Sequence, residues 1–188
     1  MSQTLQQVCT IQSGITLRKD SCEPSEDGHT HLLSVADMDF IHLTPSTRFP
    51  QRFTTKIDRY VAQPNDVLFS VRGTHLKASV MPEHPETFVA PSHLCILTPN
   101  DREKLLPEYL AIYLLSEPSQ RYFHEKRRGS AVPLITKKSL GELPISLPSL
   151  ETQARLIRLH QLLETEKDLQ NRIHQLHELQ VQQCFNKL

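Results

Sequence analysis

The sequence predicts an α+β protein, in which a mixed, sheet-containing domain over residues 1–148 is followed by a long C-terminal coiled-coil helix over residues 149–188. Three observations carry this expectation. Short β-type runs broken by Pro, Gly and polar clusters fill residues 1–100, two short helical patterns follow, and both Pro and Gly disappear after Pro148.

The β-type runs are VCTI at 8–11, HLLSV at 31–35, VLFSV at 67–71 and HLCIL at 93–97. The helical patterns, PEYLAIYLLSE at 107–117 and PSQRYFHEKR at 118–127, each open on proline. Proline suits the first helical position because the N–H it lacks would find no partner there. LPISLP at 143–148 reads as a final strand or an extended connector.

From residue 149 the chain is dominated by Leu, Gln, Glu, Arg and His, most of them compatible with helix. Ser149 is the expected N-cap, and Glu151 lies near the positive end of the helix dipole. Leu159, Leu162, Leu169, Ile173 and Leu176, with Glu166 in the gap, recur at alternating steps of three and four, the a/d pattern of a supercoiled helix pair. These six residues form the expected dimer interface. Glu166 and Gln180 fall at polar a positions, which specify a register at some cost in stability. A helix of about 35 residues is roughly 50 Å long at ~1.5 Å per residue, longer than the preceding domain can cover, so it calls for a partner helix. Folding back onto its own domain is the alternative.

With 188 residues and 38% apolar content, the chain supports one well-buried domain plus an appendage. No basic leader followed by an apolar stretch opens it, and no long apolar run occurs, so a cytoplasmic protein without membrane contact is expected. Cys9, Cys22, Cys95 and Cys184 are scattered without a CxxC pair and read as reduced thiols. Lys plus Arg and Asp plus Glu each number 21, giving zero formal charge. Neutrality argues against coating DNA through bulk electrostatics, so any nucleic-acid contact must be local or shared with partners.

The chain carries no Walker loop, GxGxxG, GxSxG, HExxH or metal-spaced Cys/His set. It also lacks the Asn/Asp-Pro-Pro-aromatic motif of an amino-methyltransferase, and its five glycines leave little for a nucleotide-cradling loop. A non-catalytic chain with no cofactor and no metal of its own is expected. His29 with His31, and His174 with His177, are the histidine pairs that invite a metal. His174 and His177 flank Leu176 on the expected coiled coil, where solvated or interhelical hydrogen-bonding roles fit better.

Three cationic groups are candidates for nucleic-acid contact. Arg121, Lys126, Arg127, Arg128, Lys137 and Lys138 stand against the lone acid Glu125, six cations to one and hence +5 over residues 121–138. With Gly129 and Ser130 they make a basic loop suited to phosphates. In SVRGTHLK at 70–77 a strand stops at Gly73 and offers Arg72, Thr74, His75 and Lys77. Arg72 is the foremost of these, since a guanidinium can donate to guanine at two points. Arg48, Arg52 and Lys56, interleaved with Phe49 and Phe53, form the third group. A solvated charge run and a turn with an outward arginine remain the structural alternatives for the first two. The expected DNA contacts are Arg72, Thr74, Lys77, Arg127, Arg128, Ser130, Lys137, Lys138, Arg48 and Arg52.

Three segments resemble a known family. LQQVCTIQSGITLRKD at 5–20 is a short strand entering a Gly-containing turn, and YVAQPNDVLFSVRG at 60–73 leads through an Asp into an apolar strand ending at Arg-Gly. GSAVPLITKKSLGELPISLPSLETQARL at 129–156 holds Gly129-Ser130, Leu134, Leu140, Leu143-Pro144-Ile145, Pro148, Leu150 and Gln153. Together they resemble the specificity subunits of type I restriction-modification systems, with residues 20–56 matching least.

The resemblance implies a DNA target-recognition domain followed by a conserved spacer helix. Such subunits usually carry two of each, whereas this chain has one, so a half-length form is expected. The paired helices of the family imply an antiparallel homodimer, although heptads alone permit a parallel one. A two-fold pair of identical readers implies an interrupted palindrome in double-stranded DNA. The resemblance further implies methyltransferase (modification) subunits as partners, which use S-adenosylmethionine on adenine extruded from the duplex, and it allows a restriction nuclease subunit. The rival expectation is a helical oligomerisation adaptor whose N-terminal domain binds protein rather than DNA.

Overall fold

VLFSV and HLCIL lack the polar alternation of a half-wetted strand, and the computed structural model shows why: both lie at the centre of a sheet buried on both faces. The structure describes residues 3–17, 22–25, 29–39, 42–44, 51–73, 75–126 and 134–185. In chain order the elements are β1 (Gln3–Thr4), the single turn α1 (Leu5–Val8), β2 (Cys9–Ser13), β3 (Cys22–Pro24), β4 (Thr30–Leu32), β5 (Met38–Asp39), β6 (His42–Leu43) and β7 (Gln51–Phe53). They continue as β8 (Val67–Ser70), β9 (Ala78–Val80), β10 (Thr87–Val89), β11 (Leu94–Pro99), α2 (Pro107–Leu115), α3 (Glu117–Lys126), α4 (Lys137–Gly141), β12 (Pro144–Ile145) and α5 (Leu150–Phe185).

The main sheet has the order β2-β11-β8-β9-β6-β5. Its first four strands are antiparallel neighbours, and β6 joins β9 in parallel, so the sheet is mixed as the fold class requires. Side chains alternate between two cores. Val67, Phe69 and Leu97 point to the layer of Leu110, Leu114 and Phe123. The rings of Phe69 and Phe123 lie 5.2 Å apart. Leu68, Leu94 and Ile96 point the other way, onto Leu33, Met38 and Phe88.

The loop into β8 is built from its own polar residues. Asn65 takes φ 69°, and buried Asp66 accepts the Gln63 N–H at 2.8 Å and the Thr98 hydroxyl of β11 at 2.6 Å. An Asp preceding the apolar strand thus closes a turn and ties two central strands. Three small pairs, β3–β7, β4–β10 and β1–β12, surround the main sheet.

Pro107 opens α2 as expected, whereas α3 starts at Glu117, so Pro118 takes its second position. Ser149 caps α5, its hydroxyl receiving the Thr152 N–H at 3.3 Å. The helix runs for 36 residues, about 54 Å at ~1.5 Å per residue. Its beginning packs on α2, and the rest projects without folding back. Every large apolar side chain exposed among the described residues lies on α5, from Leu150 to Phe185. Among those residues no helix is long and apolar enough to cross a membrane.

Candidate nucleic-acid interface

Strand register decides which loops can share a site. Cys95 lies opposite Ser13 on one side and Phe69 on the other, so the last residues of β2 and β8 and the first of β11 meet at one end of the sheet. Just beyond it, the Val71 N–H donates to the His93 carbonyl and the Gly14 N–H to the Leu94 carbonyl, both at 3.0 Å. Arg72 and Ile15 therefore emerge on either side of β11, two strand spacings or roughly 10 Å apart.

Arg72 is exposed, and Gly73 beside it has φ 107°, a left-handed conformation that suits glycine. Arg72 also forms an antiparallel bridge with Leu134, while the Ile135 N–H donates to the Val71 carbonyl at 2.9 Å. The chain returning from the basic segment is thus laid alongside Arg72. Burial, and then the Arg72 guanidinium, hold the His93 imidazole below its usual range. Near neutral pH His93 is thus a neutral ring beside Arg72 rather than a second cation.

On the other side of β11, Gly14, Ile15 and Thr16 form one wall of an open cleft of about 770 Å³. Thr55, Lys56, Asp58, Arg59 and Tyr60 form the other. Both walls are fastened to Ala90, whose N–H donates to the Tyr60 carbonyl at 2.9 Å and whose carbonyl accepts the Ile15 N–H at 2.8 Å. A Cβ on Gly14 would fall 2.1 Å from the Pro91 carbonyl oxygen, so only glycine permits this approach. The Arg59 guanidinium sits 4.9 Å from the centroid of the Tyr60 ring and donates to the Tyr60 hydroxyl at 2.7 Å.

The other expected contacts are dispersed. Arg52 is exposed on β7 opposite Glu23 of β3, beside a smaller recess shared with Thr30 and Phe53. Lys77 is half-buried, and its ammonium donates to the carbonyls of Met38 at 2.7 Å and Val35 at 3.2 Å, so it ties the sheet to the preceding segment. Lys137 and Lys138 open α4 and line a groove along β2 with Gln6, Thr10 and Asn100. Lys138 approaches Glu142 at 3.8 Å. Within the basic segment, Arg121 pairs with Glu117 and Lys126 lies 5.8 Å from the Tyr122 ring centroid. Arg48, Phe49, Thr74, Arg127, Arg128, Gly129 and Ser130 lie outside the described residues.

On α5, Leu159, Leu162, Leu169, Ile173 and Leu176 are between 52% and 57% exposed, and Glu166 is exposed with them, bonded to Gln170 at 3.1 Å. Cys9, Cys22 and Cys95 are free thiols; burial pushes Cys9 up to about 12 and Cys95 to about 11, which keeps both protonated. His29 and His31 approach Glu86 at 3.1 and 3.6 Å, and His174 approaches Glu178 at 3.3 Å. Among the described residues no three His, Cys, Asp or Glu side chains converge as a metal site would require.

The fold is thus an α+β domain with exposed cations at one end of its sheet and a projecting helix whose apolar side chains are exposed. The chain belongs to the family of type I restriction modification DNA specificity domains, whose model matches residues 1–176. It is 26% identical over 123 residues to the type I restriction enzyme HindI specificity subunit of Haemophilus influenzae, covering 64% of this chain and 27% of that one. A chain solved in work on complex assembly and conformational transition of the type I R-M system superposes with a TM-score of 0.64 at 25% identity. The match covers 92% of this chain and 40% of the solved one. The HsdS subunit from Thermoanaerobacter tengcongensis shares the fold, with a TM-score of 0.61 at 24% identity over 92% of this chain and 39% of its own. This chain spans less than half the length of each of these relatives.

Asp58, Arg59 and Tyr60 were not among the residues singled out from sequence. Their signal was the DRY triplet just after Lys56, the last residue of the third cationic group. What sequence did not supply was Gly14, more than forty positions earlier, brought opposite Arg59 through Ala90.

Proposed function

We propose that this chain reads a specific sequence in double-stranded DNA for an adenine-methylating complex, and does so as a two-fold homodimer. The observation that carries the reading is a separation of labour along the sheet. Arg72 and the Gly14–Arg59 cleft meet at the start of β11, whereas α5 is anchored by Gln153 to Lys104 and Leu106, beyond the far end of the same strand. The DNA-facing loops and the assembly helix therefore do not compete for one surface.

The second copy is argued from the helix itself. In an antiparallel register Leu159 meets Leu176, Leu162 meets Ile173 and Glu166 meets Leu169 of the other chain, so every a residue of the core faces a d residue. Glu166 then lies within one helical turn of Arg172 of the second copy. A parallel in-register pair would instead set Glu166 against Glu166 in an apolar seam. The antiparallel arrangement also brings Leu179 of the second copy level with Leu156, beside an apolar recess formed with Tyr109, Ile112 and Tyr113.

Two identical readers on one axis require an interrupted palindrome. Catalysis and the S-adenosylmethionine site belong to the partner methyltransferase subunits, and a nuclease subunit is a further partner. Shared contacts with those subunits offset the zero net charge of this chain. The test is selection from a random duplex pool by the purified complex with its methyltransferase, followed by sequencing of the bound fraction. An interrupted palindrome is expected. No enriched motif from an intact complex would favour the protein-binding adaptor.

A further inference from the structure

The cleft between Gly14–Thr16 and Thr55–Tyr60 is an open concavity of about 770 Å³ at the cationic end of the sheet. Its chemistry is mixed. Arg59 supplies a guanidinium fork, Lys56 an ammonium, Asp58 a carboxylate, and Thr16 and Thr55 supply hydroxyls. A seat for phosphate alone would gain nothing from a carboxylate, which repels the anion. A G·C pair, by contrast, presents two acceptors on guanine and an amino donor on cytosine in the major groove, and so matches an Arg–Asp set.

The fork is also held in place before any ligand arrives. Its position over the Tyr60 ring and its bond to the Tyr60 hydroxyl fix the guanidinium plane, so less freedom is lost when the remaining N–H groups find acceptors. Asp58 and Arg59 are both exposed, and among the described residues neither is held by an ion pair within 4.0 Å. Ala90 joins both walls through backbone hydrogen bonds, so the cleft keeps its width without help from the side chains that would read. Its near wall, at Ile15, lies across β11 from Arg72, roughly 10 Å away or about three base-pair rises of duplex, so one DNA segment can run past both.

We infer that this cleft is a base-reading site, in which Arg59 donates to the O6 and N7 of a guanine and Asp58 accepts from the amino group of its paired cytosine. This rests on the DNA-reading function proposed above and adds residues and a base pair to it. Each half-site of the target therefore contains one G·C pair whose identity depends on Arg59.

The experiment is the random-duplex selection with three complexes, carrying wild-type chain, Arg59→Ala and Arg59→Lys, with melting temperature measured for each. The wild type enriches a motif, and both variants melt like the wild type. In Arg59→Ala guanine enrichment at one position per half-site falls by roughly tenfold while the other positions persist, and Arg59→Lys keeps part of it, because an ammonium still donates to guanine but without the fixed planar fork. A motif unchanged in both variants would overturn the inference and leave the DNA-reading function standing. So would a uniform loss of affinity with a salt dependence reduced by about one counterion, the mark of a phosphate contact. A wild-type complex that enriches nothing would remove the DNA-reading function itself, and this assignment with it.

Discussion

The side-chain oxygen of Gln153 accepts the backbone N–H of Leu106 at 2.9 Å, joining residues 47 positions apart. The same amide donates to the carbonyls of Lys104 at 2.7 Å and Pro148 at 2.9 Å, and the residue is fully buried. One glutamine thus fastens the first turn of α5 to the loop that opens α2, where Leu106 at the cap position has no side chain able to do so. Replacing Gln153 with Leu strands the buried groups and is expected to cost about 1–3 kcal/mol, read from the urea midpoint. An unchanged midpoint would mean that the orphaned backbone finds other partners.

The exposed seam of α5 predicts that Leu162→Glu combined with Leu169→Glu converts dimer to monomer. Charges would enter layers that otherwise bury about 1.5–3 kcal/mol of apolar side chain each. Light scattering reads the mass directly, and a mass that does not change counts against helix pairing.

Arg72 is exposed, is not required by the core, and stands beside the returning basic segment. Arg72→Ala should leave the melting temperature intact and weaken or relax site choice by roughly five- to a hundredfold at the base it contacts. Unaltered affinity and specificity would remove it from the interface.

The depressed His93 supplies a pH dependence with a defined sign. Burial, and then Arg72, disfavour the charged ring in the folded state. The resulting stability is fully present above about pH 6.5 and is lost as pH falls through the lower folded value. Melting temperature should therefore decline less steeply from about pH 7 to 5 in His93→Gln than in the wild type. A residual slope is expected from His160, which burial also depresses. Identical curves for variant and wild type would rule out His93 as a source.

Local patterns made much of this fold legible. VLFSV and HLCIL became β8 and β11, the proline-led segments became α2 and α3, and the Pro/Gly-free tail became α5 capped by Ser149. HLLSV marked the end of β4, whereas β3, β7, β10 and the pairings β3–β7 and β4–β10 were not legible, because strands of three residues carry no period and find their partners at long range. The candidate site followed the same division. Gly73 marked the stop beside Arg72, but nothing local to Lys77 could reveal the Val35 and Met38 carbonyls waiting for it. Gln153 illustrates the limit well: its place in a family-like motif was visible, whereas two of its three buried bonds depend on a loop some fifty residues away.

The most direct test of a symmetric DNA reader is the methylome it creates. The chain is co-expressed with its cognate adenine methyltransferase in a host free of adenine methylation, and modified bases are read by long-read sequencing. An interrupted palindrome methylated on adenine in both half-sites, and absent when this chain is omitted, is the predicted result. An asymmetric motif would contradict the two-fold pair, and no new motif from a confirmed complex would contradict DNA reading by this chain.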